Sequence, residues 1–143
     1  YGLNAAYDAE NYGVSLTYGV LETGTEEDTF TAINGYYAPE GFPSISVGYE
    51  IGEDGSVTTS ADELESFFVG LTWEEVGPGS AGIAMGTKTP TVEGTDEQYM
   101  YEAYYTYNVN DAMSITPLVF IKENGTAGAD DTTGVMVKTS FSF

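Results

Sequence analysis

Residues 135–143 place Val135, Val137, Thr139, Phe141 and Phe143 alternately with Met136, Lys138, Ser140 and Ser142. A period of two is that of a β-strand with one apolar and one mostly polar face. In water a terminal strand of this kind would leave a sticky, unpaired edge. In a closed barrel that crosses a membrane it has a partner, because closure removes the edge and lipid covers the apolar face. The alternation points to an all-β, antiparallel transmembrane barrel.

The same period recurs along the chain. Leu3, Ala5 and Tyr7 alternate with small or polar residues, as do Tyr12, Val14, Leu16, Tyr18 and Val20. So do Ile45, Val47, Tyr49 and Ile51, then Phe67, Val69, Leu71 and Trp73, then Ala81, Ile83 and Met85. Segments 29–37, 99–107 and 113–121 follow the pattern too. About nine strands of roughly ten residues result, the length that crosses a bilayer at a tilt. Connections 8–11, 39–42, 75–79 and 108–111 are short, whereas 22–28, 52–63, 89–97 and 123–131 are mostly longer and rich in acids and glycine. Outer-membrane barrels alternate short periplasmic turns with long external loops in this way. That places the short turns and the C-terminus on the periplasmic side. Residues 61–66 form the one helix-like patch, expected as a single turn within an external loop. No apolar run approaches the roughly 20 residues of a transmembrane helix.

Composition narrows the chemistry. The 143 residues carry a net charge of −20, with three Lys and Arg together, no His and no Cys. Disulfides, thiolate chemistry and a histidine-based triad are excluded, a zinc site is not expected, and no G-x-S-x-G elbow occurs. Nucleic acid is not an expected partner, because phosphate binding needs basic side chains. The expectation is a protein that is not an enzyme and has no cofactor or resident metal. Paired carboxylates at 26–28, 74–75 and 130–131 read as solvated loop charge. Segments 53–56 and 128–131 offer oxygen donors for a divalent cation in an external loop, without EF-hand spacing. The sequon at Asn124 reads as chance in a loop of this kind.

The two strand faces then take roles. Val14, Leu16, Val47, Val69, Leu71, Ile115, Val119 and Val137 are expected to face lipid. Glu50, Thr72, Glu74, Lys88, Glu102, Thr116, Lys122, Lys138 and Ser140 are expected to line water, together with the aromatics Phe68, Tyr104 and Phe120. Tyr7, Tyr12, Tyr49, Trp73, Tyr99, Tyr101, Phe141 and Phe143 lie towards strand ends, where amphipathic rings form interfacial girdles. Trp73, Tyr99, Phe141 and Phe143 are the foremost candidates. Small or charged inward positions suit a water-filled lumen better than the packed interior of a small barrel. Carboxylates in the lumen predict a weak preference for cations.

Four stretches together carry a family resemblance: Y-G-L-N-A-A-Y-D-A-E-N-Y-G-V-S-L-T-Y-G at 1–19, G-Y-Y-A-P at 35–39, I-T-P-L-V-F at 115–120 and T-T-G-V-M-V-K-T-S-F-S-F at 132–143. This combination resembles the C-terminal barrel region of cyanobacterial outer-membrane porins, of the carbohydrate-selective porin family. The resemblance implies a barrel of about sixteen strands, of which this chain supplies about nine. It also implies a homotrimer in the outer membrane that passes ions and small hydrophilic solutes by diffusion. Family members carry an N-terminal wall-binding domain and earlier barrel strands, which these residues do not contain. Nine strands cannot close a single-chain bacterial barrel, which needs an even number. Either the chain continues a longer barrel, or the first segment does not span and the barrel is small. Two other readings compete with a channel. One is a barrel with a structural, adhesive or surface-receptor role; the other is a soluble, acidic all-β binding module.

Overall fold

The computed structural model describes residues 1–24, 26–55, 63–92, 96–126 and 128–142. They form one antiparallel sheet, and no helix occurs among them. Its strands are β1 (Gly2–Asp8), β2 (Tyr12–Thr23), β3 (Glu26–Tyr37), β4 (Ser44–Glu53), β5 (Glu63–Val76), β6 (Gly79–Thr87), β7 (Thr91–Val92), β8 (Tyr99–Asn110), β9 (Met113–Lys122) and β10 (Thr132–Phe141). Each strand pairs with its neighbour in chain order, except that β6 pairs directly with β8. The two-residue β7 pairs with Leu64 and Glu65 of β5, above the stretch that β6 occupies. It thus continues the line of β6 after the interruption at 88–90. The sheet is open among the described residues, with β1 and β10 at its edges.

Two expectations are corrected. Segment 22–28 is not a long loop: β2 runs to Thr23 and β3 starts at Glu26, so this connection is as tight as any in the fold. Gly24 takes φ +72 there, which glycine adopts without steric cost. The acid-rich sequence suggested a loop, but its side chains alternate along a paired ladder. The expected helical turn at 61–66 is also absent from its described part, since 63–66 open β5. Pairing of Glu63, Glu65 and Ser66 with β4 overrides their local preference for helix.

At the other end, the short connections are stitched together by main-chain bonds. Ala38 N–H donates to the Asn11 carbonyl at 2.7 Å, Asn108 N–H to Pro78 at 3.4 Å, and Ser142 N–H to Ala112 at 2.9 Å. The Gly77-Pro78 turn is closed by the pair Val76 and Gly79, and Gly77 has φ +62. A type II′ hairpin needs that sign at its first central residue, and proline suits the second. Hydrogen-bonded rows cross the strands obliquely. One row starts at Tyr7, beside the end of β1, and passes through Val14, Gly35, Val47, Val69 and Met85. It reaches Tyr101, close to the opposite end of β8.

There is no core in the usual sense. Val20 and Ala32 are the only buried apolar residues other than glycine among those described. Instead, apolar positions along the strands are the exposed ones. In β4 the exposed residues Ile45, Val47, Tyr49 and Ile51 alternate with the more shielded Ser44, Ser46, Gly48, Glu50 and Gly52.

Glycines allow close lateral contacts on the shielded face. A Cβ on Gly86 would lie 2.5 Å from the backbone carbonyl oxygen of Phe67, whereas one on Gly70 would meet the Ala84 Cβ at 3.8 Å. Gly86→Ala should therefore destabilise the sheet by about 1–3 kcal/mol, because backbone must move. Gly70→Ala should be neutral or stabilising by up to about 1 kcal/mol. Denaturant unfolding followed through Trp73 fluorescence compares the two variants.

Candidate functional site: a two-faced sheet

Register places the expected residues on two faces. Val14, Leu16, Val47, Val69, Leu71, Ile115, Val119 and Val137 all lie on one face, tied by the pairs Val47–Val69, Val69–Met85, Leu71–Ile83 and Val119–Val135. Their apolar groups are open to the surroundings: Leu16 is 53 % exposed, Ile33 52 % and Val137 66 %. A shallow groove of about 440 Å³ crosses this face above Ala103, bordered by Val69, Leu71, Ile83, Met85 and Val119.

Aromatic rings flank the aliphatic belt in two rows. Near the short turns stand Tyr7, Tyr12, Tyr37, Trp73, Tyr105, Tyr107 and Phe141, all on the apolar face. Tyr7 and Tyr12 are in contact, with centroids 6.1 Å apart. Towards the other end stand Tyr49, Phe67, Tyr99 and Tyr101, with Phe67 and Tyr99 5.9 Å apart. The hydroxyls of this second row reach outward to carboxylates. Tyr49 donates to Glu65 at 2.9 Å, Tyr99 to Glu97 at 2.5 Å and Tyr101 to Glu123 at 3.2 Å. In the first row Tyr105 donates to the Val76 carbonyl at 2.8 Å. Each such ring thus keeps an apolar body against the belt and a polar tip at the rim. Of the aromatics expected towards strand ends, Tyr7, Tyr12, Tyr49, Trp73, Tyr99, Tyr101 and Phe141 stand in these rows, and Phe143 lies outside the described residues. Tyr37, Phe67, Tyr105 and Tyr107 join them through register alone.

Glu50, Thr72, Glu102, Thr116, Lys122, Lys138 and Ser140 share the opposite, polar face. Glu50 pairs with Ala32 and Ser66, Glu102 with Ala84 and Phe120, Lys138 with Thr116, and Ser140 with Ser114. Glu74 falls at the β5 bulge between Trp73 and Val76 and is exposed. Neighbouring strands are joined by side chains: Asn4 Nδ2 donates to Thr17 Oγ1 at 2.7 Å, and the Thr106 and Thr116 hydroxyls lie 2.9 Å apart. Lys122 Nζ sits 5.0 Å from the centre of the Phe120 ring, a cation–π contact.

Aromatics on this face share one arrangement. Phe30, Tyr36, Phe68, Tyr104 and Phe120 lie against Gly19, Gly13, Gly48, Gly82 and Gly134 of adjacent strands, where any Cβ would overlap the ring. Covering the glycine shields its backbone and lays the ring along the wall. Phe68, Tyr104 and Phe120 were expected here; Phe30 and Tyr36 emerge only from the pairing.

At the long-loop end Lys88 lies just beyond β6. Its Nζ donates to Gln98 Oε1 at 2.9 Å and to the Glu123 carbonyl at 3.1 Å. The Glu123 carboxylate accepts the Tyr99 N–H at 2.9 Å. In the segments with candidate cation donors, Asp131 accepts the Asn124 N–H and the Gly55 N–H donates to Asp28, each at 3.0 Å. No group of three or more metal-ligating side chains occurs among the described residues, and Ser56 lies outside them. Comparisons with family models, curated proteins and solved structures returned no match.

Lys88→Met removes both side-chain bonds between the rim segments and leaves the main-chain bond from Lys88 N–H to the Gln98 carbonyl at 2.8 Å. Cleavage at Glu97 and Glu123 by a glutamate-specific protease should accelerate about fivefold, as the loss of about 1 kcal/mol of local bonding implies. Global unfolding should shift by less than about 0.5 kcal/mol.

Proposed function

We propose that this chain forms part of the wall of an outer-membrane porin, a water-filled channel for passive diffusion of ions and small hydrophilic solutes with a weak preference for cations. One observation carries the reading: an exposed aliphatic belt bounded by two aromatic rows, backed by a shielded polar face. Water-soluble proteins bury such a belt, whereas a bilayer covers it and places rings at its two interfaces.

The oblique rows support a barrel. Tyr7 is one residue from the end of β1 and Tyr101 nine from the end of β8, a stagger of eight residues over six strand-to-strand steps. With about 3.3 Å per residue and about 4.8 Å between strands, the tilt is about 40°, within the range of closed barrels. Small residues and flattened rings on the polar face suit a lumen rather than a packed interior. The family resemblance adds the outer membrane, the trimer, further strands completing the barrel and the absence of catalysis to this reading.

In planar bilayers the detergent-extracted protein should give discrete conductance steps, and its gel mobility should change on heating. A heat-modifiable protein that stays electrically silent would favour a structural or receptor barrel. Extraction without detergent would reject the membrane altogether.

Asp8, Asp28, Glu50, Glu74 and Glu102 outnumber the lysines on or beside the polar face. In a salt gradient the reversal potential should therefore show cation preference. Glu50→Gln combined with Glu102→Gln should lower the cation-to-anion permeability ratio by about twofold or more.

A further inference from the structure

The charges on the polar face are sorted across the sheet. Through β1–β6 and β8 this face presents Asp8, Glu26, Asp28, Glu50 and Glu102, with Glu74 at the bulge. The chain contains no arginine, and its lysines are Lys88, Lys122 and Lys138, so none lies within those strands. In β9 and β10 the position is reversed. Lys122 and Lys138 face the polar side, and neither strand contains a carboxylate.

Within the strands, sorting holds at both depths. Beyond Lys122 the loop carries Glu123, Asp130 and Asp131, of which Glu123 accepts the Tyr99 N–H and Asp131 the Asn124 N–H. Near the short turns, Asp8 ends β1 and Glu74 lies two residues from the end of β5, while Lys138 lies three residues from the end of β10. Towards the loops, Asp28 and Glu102 stand on β3 and β8, while Lys122 is the last residue of β9. Lys88 borders the groove beneath Glu50, but Gln98 and the Glu123 carbonyl draw its ammonium towards β8 and β9.

Resting on the porin reading, the geometry points to a transverse field along this wall that makes small zwitterions its favoured solutes, with Lys122 and Lys138 as specificity-determining residues. A wall of uniform sign attracts one ion and repels the other, and its effect on a neutral dipole is small. A wall negative on one side and positive on the other aligns a molecule that carries both charges. The ammonium of an amino acid then faces Glu50 and Glu102 while its carboxylate faces Lys122 or Lys138. The low-dielectric surroundings of the lumen strengthen both contacts relative to bulk water. A polyol of similar size gains neither. Net acidity sets the preference among simple ions, and sorting sets the preference among uncharged solutes.

The test is osmotic swelling of neutral phospholipid vesicles containing the detergent-purified protein, with L-threonine compared against erythritol. Threonine should enter at least about twofold faster. The double variant Lys122→Gln, Lys138→Gln should bring the two rates together while moving the reversal potential further towards cations. Equal entry in the unmodified protein would overturn the inference and leave the porin intact. An unchanged rate ratio in the variant, with erythritol entry showing an assembled channel, would remove the two lysines as its cause and overturn it as well. Failure of every solute to enter would overturn the porin reading and this inference together.

Discussion

A single-layer sheet has no interior, so its backbone hydrogen-bond ladder must hold the fold. Among the described residues only Val20 and Ala32 bury apolar side chains, and hydrophobic burial between them contributes little. The strength of that ladder depends on what surrounds it. A backbone hydrogen bond contributes about 0.5–1.5 kcal/mol net in water, where the alternative is a bond to solvent, and about 4–6 kcal/mol in an apolar medium. A ladder running from β1 to β10 behind an exposed aliphatic face is thus best supported where water is excluded from that face. The two aromatic rows and the oblique register follow the same logic, since rings mark the ends of the apolar belt and stagger lets the sheet curve.

Much of this was legible in the sequence because the β-period is short and local. Val14 and Leu16, or Val69 and Leu71, declare their face two residues at a time, and all eight apolar positions chosen from alternation fall on one side. What escaped was information held between strands. Nothing near Phe30 in sequence says that it will lie on Gly19, and nothing near Tyr37 says that it stands beside Tyr12. Both depend on register, which a hairpin sets over a whole strand. Charge misled in the opposite direction. Glu26, Glu27 and Asp28 resemble a loop, yet they continue β3, because exposed strand ends tolerate acids as readily as loops do. Glu63 to Ser66 have helix-forming character that the ladder of β4 overrides.

Main-chain bonds link connections at both ends of the sheet, and the long-loop end adds side-chain bonds. At the short turns, main-chain bonds from Ala38 to Asn11, Asn108 to Pro78 and Ser142 to Ala112 join neighbouring connections. At the other end Lys88 N–H donates to the Gln98 carbonyl and Glu123 N–H to the Tyr99 carbonyl, and the Lys88 ammonium adds side-chain bonds to Gln98 and Glu123. Acidic residues are shared between that rim and the aromatic row, where Glu65, Glu97 and Glu123 receive tyrosine hydroxyls. Part of the net charge of −20 therefore anchors rings in addition to keeping the chain hydrated.

The pairing of rings with glycines has a consequence for how such a chain can change over generations. Losing or gaining one residue within a strand reverses every later side chain and turns Lys122 or Lys138 towards the apolar side. A change of two restores the faces but slides Phe68 off Gly48 and Tyr104 off Gly82. Length variation is thereby confined to the loops, while the strands are free to drift only by substitution. Even then, each ring constrains a position in the neighbouring strand that carries no side chain at all.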